Sequence, residues 1–346
     1  MERLSDLTTL RLGGPAGRLV EARTEAELIA AVRRAGEDLL LLAGGSNVVI
    51  CDAGWPGTVV LVATRGVQRD GARLVVQAGE PWDPLVARTV REALAGFECL
   101  SGIPGSTGAT PIQNVGAYGQ EVAESIVSVR VYDRERDLVA ELSREECGFR
   151  YRGSRFKGSA RWVVLAVTFE LEPSELSQPI RYAELARALR VELGVRAPLA
   201  EVRDTVLGLR RRKGMVIDPD DPDSVSAGSF FTNPVVAPDA IADIARRAGA
   251  APPAWPQPDG TVKTSAAWLI ERAGFARGHG EGRAGISTKH TLALVNRGGA
   301  TCAELVTLAR EIAAGVQERF GVELVPEPVF VGHEWDPSAR RAGPGG

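Results

Sequence analysis

The stretch from Ser101 to Gly119, SGIPGSTGATPIQNVGAYG, has neither a helical nor a strand period and consists mostly of small residues. Structureless loops longer than about 12–15 residues are uncommon inside compact domains, and those that occur are usually functional. Ile103, Val115 and Tyr118 punctuate the stretch with apolar anchors, which points to a packed, ordered loop rather than a mobile surface one. Small side chains let a flat or phosphorylated ligand lie directly on backbone. Gln113 and Asn114 add amides for its polar edges. The fold must therefore hold this loop between regular elements.

Those elements alternate along the chain. Thr24 and Glu27 form a capping box for a helix that buries Leu28, Val32 and Ala35 and stops near Gly36. The apolar run Leu39 to Leu42 is short enough for a buried strand, and Val48-Val49-Ile50 begins another. Strands over Val59–Val62 and Leu74–Val76 are expected to flank a turn at Asp70-Gly71, followed by a helix from Pro84 to Ala95. Beyond the glycine-rich stretch come strands over 126–132, 138–142 and 162–171, then a helical connector over 182–213. The acidic turn 218–223 leads to a second domain with helices over 238–247, 265–273 and 301–320, the last opened by the capping box Thr301/Glu304. Its expected strands are 291–295 and 322–331, and residues 251–258 read as a rigid loop. Two α+β domains result.

Length suits that reading, because 346 residues at about 150 per domain is roughly two domains. Apolar residues make up 44% and charged residues 25%, which excludes wholesale disorder. A net charge of −3 offers no basic field for nucleic acid or an anionic membrane. No apolar run approaches the roughly 18 residues that span a bilayer, and the N-terminus lacks a signal-peptide core, so a cytoplasmic protein is expected. Four scattered cysteines and three scattered histidines suggest neither a disulfide framework nor a metal site.

Two further segments carry candidate chemistry. Ala43-Gly44-Gly45-Ser46-Asn47 lies between apolar strands and is either an anion-cradling backbone loop or a tight β-turn. It matches neither GxGxxG nor a Walker loop. Ser226 to Pro234 places Ser229 between Gly228 and Phe230-Phe231, where a hydroxyl has few competing proton donors. It lacks the GxSxG elbow of hydrolases, and taken in isolation it reads better as a purely structural strand than as a catalytic segment.

Taken together and in order, these loops, Tyr151-Arg152-Gly153-Ser154-Arg155-Phe156-Lys157, Gly228 to Pro234 and Pro326-Glu327-Pro328-Val329 resemble the UDP-N-acetylenolpyruvoylglucosamine reductases of peptidoglycan precursor synthesis. The resemblance runs from about Leu10 to Gly332. It implies an α+β fold: a vanillyl-alcohol-oxidase-type FAD-binding region of two α+β subdomains (1–67 and 68–199) and a C-terminal α+β substrate domain (200–335). Residues 336–346 are expected to be a disordered tail. The implied reaction has two halves. NADPH reduces non-covalently bound FAD and leaves; UDP-N-acetylglucosamine enolpyruvate then takes the hydride and a proton to give UDP-N-acetylmuramate.

By the same resemblance, Ser229 is the proton donor, and Arg152 and Glu327 polarise the substrate carboxylate. Without the resemblance, Arg152 reads as a surface ion pair and Glu327 as a solvated carboxylate. Cofactor contacts fall on Gly44, Gly45, Ser46, Asn47, Gly102, Ile103, Pro104, Gly105, Ser106, Gly108, Ala109, Gln113, Asn114, Gly116, Ala117, Tyr118 and Gly119. Substrate contacts fall on Tyr182, Arg210, Lys213 and Asn233. Tyr182 matches the loop tyrosine of the longer subtype; Arg210 and Lys213, three apart on an expected helix, share a face suited to a diphosphate or simply to solvent. Pro328 follows Glu327 where the family more often has a β-branched residue, and proline favours an edge position. A monomer is expected, acting on the sugar nucleotide and NADPH, with no metal, nucleic acid or membrane insertion. An oxidase on the same FAD-binding architecture, or a nucleotide-binding module without activity, are the competing readings. The Ser229 and Glu327 motifs disfavour both.

Overall fold

The structure is a computed structural model that describes residues 2–336. Its packing divides the chain into two compact units that do not follow chain order. Of the described residues, one contains Glu2–Pro15, Ser46–Trp55 and Lys213–Asp336; the other contains Ala16–Gly45 and Pro56–Arg212. The expected tail, apart from Asp336, lies outside the described residues.

The unit built on Ala16–Gly45 and Pro56–Arg212 has two sheets. A three-stranded sheet orders Ala16–Ala22, Trp55–Val62 and Leu39–Leu42, the last two parallel with Leu39 opposite Thr58. The helix Glu25–Ala35 packs Leu28 and Val32 into the cluster that also holds Val60, Tyr132, Val163 and Leu165. Thr24 caps that helix through the Glu27 N–H (3.2 Å), but the Glu27 carboxylate reaches the N–H of Arg23, one residue earlier than a reciprocal box would place it. The second sheet is five-stranded and antiparallel, in the order Leu138–Ser143, Ile126–Asp133, Trp162–Glu170, Arg73–Gln77, Val67–Asp70. The turn at Asp70-Gly71 thus joins Arg73–Gln77 to Val67–Asp70, not to Val59–Val62. Val67–Asp70 is polar and exposed apart from Val67, which hid it from pattern reading. The expected helix over 84–95 instead runs Trp82–Arg91, and Leu94–Ala95 pairs with Glu172–Pro173. Trp82, Phe97 and Phe169 meet in this core, Phe97 tilted against Trp82 and edge-on to Phe169 with centroids 4.8 and 4.9 Å apart. The connector forms the helices Ala183–Leu189 and Leu199–Arg212.

The other unit is organised by the helix Cys302–Phe320. Thr301 and Glu304 form a complete capping box, and the Asp52 carboxylate accepts from the N–H groups of Cys302 (2.7 Å) and Ala303 (3.1 Å). A carboxylate there satisfies orphan donors and complements the helix dipole. Leu10, Leu12 and Val49 are buried against this helix with Phe230, Phe231, Leu269 and Ile270. Each such side chain contributes about 1.5–3 kcal/mol on burial, so the N-terminal residues are integral to this core. Strands Ser226–Ser229, Ala293–Asn296 and Ala284–Ile286 form one sheet. A second orders Val235–Val236, Val262–Thr264 and Ala254–Pro256, so the expected rigid loop at 251–258 contains an edge strand. The expected strand over 322–331 is confined to Val329–Val331, because Pro326 and Pro328 supply no donors; it pairs in parallel with Val48–Ile50.

Candidate active site

In the unit of the five-stranded sheet, the two glycine-rich loops lie against each other. A Cβ on Gly44 would stand 2.6 Å from the Gly105 Cα, so the two backbones touch where no side chain fits. The 101–119 loop is fastened from below. Thr107 and Gly108 donate to the Glu80 and Ala78 carbonyls (both 2.8 Å), Trp82 donates to the Gly105 carbonyl (3.1 Å), and Ile103, Ile112 and Val115 pack on the core. Asp83 accepts from the Gly102 N–H (2.6 Å) and forks with Arg203 (2.7 and 2.9 Å). Burial pushes the Asp83 carboxyl up, but the Arg203 guanidinium and the Gly102 N–H outweigh it and hold the group below its usual range. Asp83 and Arg203 were not singled out in the sequence; an acid on a helix facing a remote arginine leaves no local signal.

The loop suits FAD on two observations. The backbones of Gly44 and Gly105 are exposed to each other without intervening side chains. The Ser106 hydroxyl is buried with no hydrogen-bond partner among the described residues, a costly arrangement that a ligand oxygen would relieve. Gly116 and Ala117 pair with Gln120 and Glu121 as a small hairpin, and Tyr118 tops it in a left-handed conformation (φ +50°).

Arg152 sits on a turn closed by two Arg150–Gly153 backbone hydrogen bonds (3.0 and 3.1 Å), itself at φ +50°. Its guanidinium donates to the Gly116 carbonyl (2.7 Å) and lies over the Tyr151 ring. Ser154 donates to the Ile112 carbonyl (2.7 Å), and Lys157 Nζ to the Arg152 carbonyl (3.1 Å). The structure thus brings Arg152 to the glycine-rich loop.

Tyr182 precedes the helix Ala183–Leu189, is 42% exposed, and meets the Tyr118 ring edge-on at 5.5 Å. Burial raises both phenols, Tyr118 to about 12. Arg210 is buried in the last turn of Leu199–Arg212; burial lowers its pKa, while Tyr118 and Asp83 act in the opposite direction. That helix ends one residue short of Lys213, so the pair does not share a continuous helical face. Lys213 belongs to the other packing unit, with Ser46 and Asn47.

In that unit Ser229 ends the strand Ser226–Ser229, just after Gly228 (φ +72°) and a register shift. Phe230 and Phe231 are core residues 1% exposed, meeting edge-to-face with centroids 5.2 Å apart, while Ser229 stays partly exposed beside them. Glu327 is fixed next to this segment: its N–H donates to the Phe230 carbonyl (2.8 Å), and its carbonyl accepts from Asn47 Nδ2 (3.3 Å). Pro328 causes no defect, because it lies just before Val329–Val331 and the ladder begins with Val329 donating to the Asn47 carbonyl (2.9 Å). Asn233 accepts from the Ala266 N–H (3.0 Å) at the start of the helix Ala266–Arg272. No cluster of three metal-ligating side chains occurs among the described residues, and no helix among them is long and apolar enough to cross a membrane.

Comparison with known proteins bears on the same segments. A family profile described as "FAD binding domain" matches residues 16–140. Another, described as "UDP-N-acetylenolpyruvoylglucosamine reductase, C-terminal domain", matches residues 220–331. The UDP-N-acetylenolpyruvoylglucosamine reductase of Thermobifida fusca is 57% identical, with 95% of this chain and 96% of that protein aligned. Its Streptomyces coelicolor counterpart is 59% identical over 95% of this chain and 89% of that one. The crystal structure of the Thermus caldophilus reductase superposes with a TM-score of 0.65 at 27% identity, covering 95% and 97% of the two chains.

Fold and glycine cradle together define an FAD-dependent oxidoreductase with an α+β architecture. The 57–59% identity over nearly full length then makes the assignment specific. The chain belongs to the UDP-N-acetylenolpyruvoylglucosamine reductase family.

Proposed function

We propose that Arg152, Ser229 and Glu327 carry the family's reaction in this chain. That reaction is the NADPH-dependent reduction of UDP-N-acetylglucosamine enolpyruvate to UDP-N-acetylmuramate, a step of peptidoglycan precursor synthesis. Bound FAD supplies the two-electron carrier that accepts hydride from NADPH and passes it to the substrate. Gly44 leaves the backbone bare where it meets Gly105, and the orphaned Ser106 hydroxyl in that loop would hydrogen-bond one of its oxygens.

Hydride addition to the substrate's methylene carbon leaves carbanion character on the carbon beside its carboxylate. Ser229 holds the proton that this carbon takes, as a positioned general acid. Arg152, and Glu327 as a protonated hydrogen-bond donor, stabilise the enolate-like charge on the carboxylate as it develops. Tyr182 closes over the sugar nucleotide and excludes water; Arg210, Lys213 and Asn233 serve its polar groups. The observation that carries the Ser229–Glu327 pairing is the Glu327 N–H on the Phe230 carbonyl, which seats the two residues on adjoining segments. We further propose that the enzyme acts in the cytoplasm as a monomer.

The test is the purified protein itself. It should be yellow and release FAD on acid precipitation. It should consume NADPH steadily only when the enolpyruvyl sugar nucleotide is added. A colourless protein that cannot be reconstituted with FAD overturns the reading. Sustained oxygen-dependent turnover without the sugar nucleotide would instead favour an oxidase.

A further inference from the structure

We infer that Asn114 is the positioning residue for Arg152, holding it through both its backbone and its guanidinium; this rests on the catalytic role proposed for Arg152. Asn114 lies in the middle of the glycine-rich loop and is 1% exposed. Its amide spends its hydrogen bonds inside the protein. Oδ1 accepts from the Ala123 N–H (3.2 Å), while Nδ2 donates to Glu121 Oε2 (2.6 Å) and to the Arg150 carbonyl (3.2 Å). The partners fix which way the amide points: an N–H can only donate, and a carboxylate and a carbonyl can only accept. The side chain is therefore a clamp between the loop and the Arg150–Gly153 turn rather than a group presented to a ligand.

That turn needs a clamp. Arg152 occupies the left-handed region at φ +50°, which non-glycine residues rarely adopt. Such conformations persist where the surroundings over-determine them, and they concentrate at functional sites. Asn114 supplies that determination twice. Its Nδ2 anchors Arg150, whose backbone closes the turn, and its own carbonyl, 3.5 Å from Arg152 Nη1, lies beside the guanidinium that donates to the Gly116 carbonyl. Asn114 is itself at φ +47°, a conformation asparagine tolerates better than most residues. Glu121 in turn orients Asn114 and is paired across the small hairpin with Gly116, whose carbonyl receives Arg152. Cofactor loop and arginine turn are thereby one mechanical element.

The experiment uses the FAD-loaded enzyme and follows the NADPH half-reaction and the enolpyruvyl-substrate half-reaction separately by anaerobic stopped flow. FAD content and melting temperature are recorded for each variant. Measured per bound FAD, Asn114→Ala should slow the substrate half-reaction by about 10²-fold, the effect of roughly 1 Å of misplacement, and by at least about tenfold more than it slows the NADPH half-reaction. In an Arg152→Ala background, adding Asn114→Ala should cost nothing further, because the residue it positions is gone. If Asn114→Ala does not fold, Asn114→Asp serves: it keeps the shape but removes the donor to Arg150 and sets a carboxylate against Glu121. Equal slowing of both half-reactions, or full additivity with Arg152→Ala, overturns the inference and makes Asn114 an ordinary structural residue. A normal substrate half-reaction in Arg152→Ala alone would refute the role of Arg152, and the positioning of that residue would fall with it.

Discussion

Gly44→Ala tests whether the two glycine loops form one cofactor cradle. The added Cβ would stand 2.6 Å from the Gly105 Cα, 3.0 Å from the Gly105 carbonyl carbon and 3.4 Å from the Ser106 nitrogen. Carbon atoms settle at about 3.5–4.0 Å, so the loops must part by about 1 Å. None of the three opposing atoms belongs to a side chain that could rotate away. Gly105 is also held by Trp82 donating to its carbonyl, and Thr107 by Glu80. Overpacking of this kind costs about 1–3 kcal/mol, which is about 5- to 150-fold in FAD affinity if the free protein relaxes the strain and the loaded one cannot. Gly44 does not need a left-handed backbone, so the effect isolates steric contact. Fluorescence titration of apoprotein with FAD measures it, with Gly282→Ala as control, since nothing lies within 4 Å of that position. An FAD dissociation constant within twofold of wild type for Gly44→Ala would show that the loops do not abut in solution.

Ser229→Ala should be reduced by NADPH at a near-normal rate yet recover its yellow colour with substrate about 10²–10⁴-fold more slowly; near-normal recovery in stopped flow would place the proton donor elsewhere. Tyr182→Ala removes the ring that meets Tyr118 and should raise the apparent substrate constant while sparing the NADPH half-reaction; equal damage to both would mark Tyr182 as a structural part of the connector. Asp83 has a lowered pKa, so its contribution is complete above the unfolded carboxyl value near about 4 and is lost as pH falls through the folded value. The melting-temperature gap between wild type and Asp83→Asn should therefore be widest near neutral pH and close in acid; a gap independent of pH contradicts the Arg203–Asp83–Gly102 tether.

Local chemistry made much of the fold legible. Thr301/Glu304 and Thr24 announced two helix starts because a cap acts within one turn of its own residue. The strands at 126–133, 138–143 and 162–170 were readable from apolar composition. Val67–Asp70 was not, since it joins the sheet as an exposed polar edge and is held by its neighbour rather than by burial. The site divides the same way. Gly44, Ser106, Ser229 and Glu327 lie in compact motifs, whereas Asp83, Arg203 and Glu121 act through partners that local spacing does not reveal.

Residue order alone was enough for the family and the α+β class, and it nominated the candidate catalytic groups, because each motif is written in consecutive residues. Long-range pairing settled the rest. Val48–Ile50 pairs with Val329–Val331 of the same packing unit, roughly 280 positions away along the chain. Through that pairing Asn47 reaches the Glu327 carbonyl. Likewise the left-handed turn of Arg152 and the inward amide of Asn114 depend on carbonyls contributed by distant loops. A hydrogen bond between remote segments repays its loop-closure entropy only once the surrounding core has formed, so no local pattern encodes it.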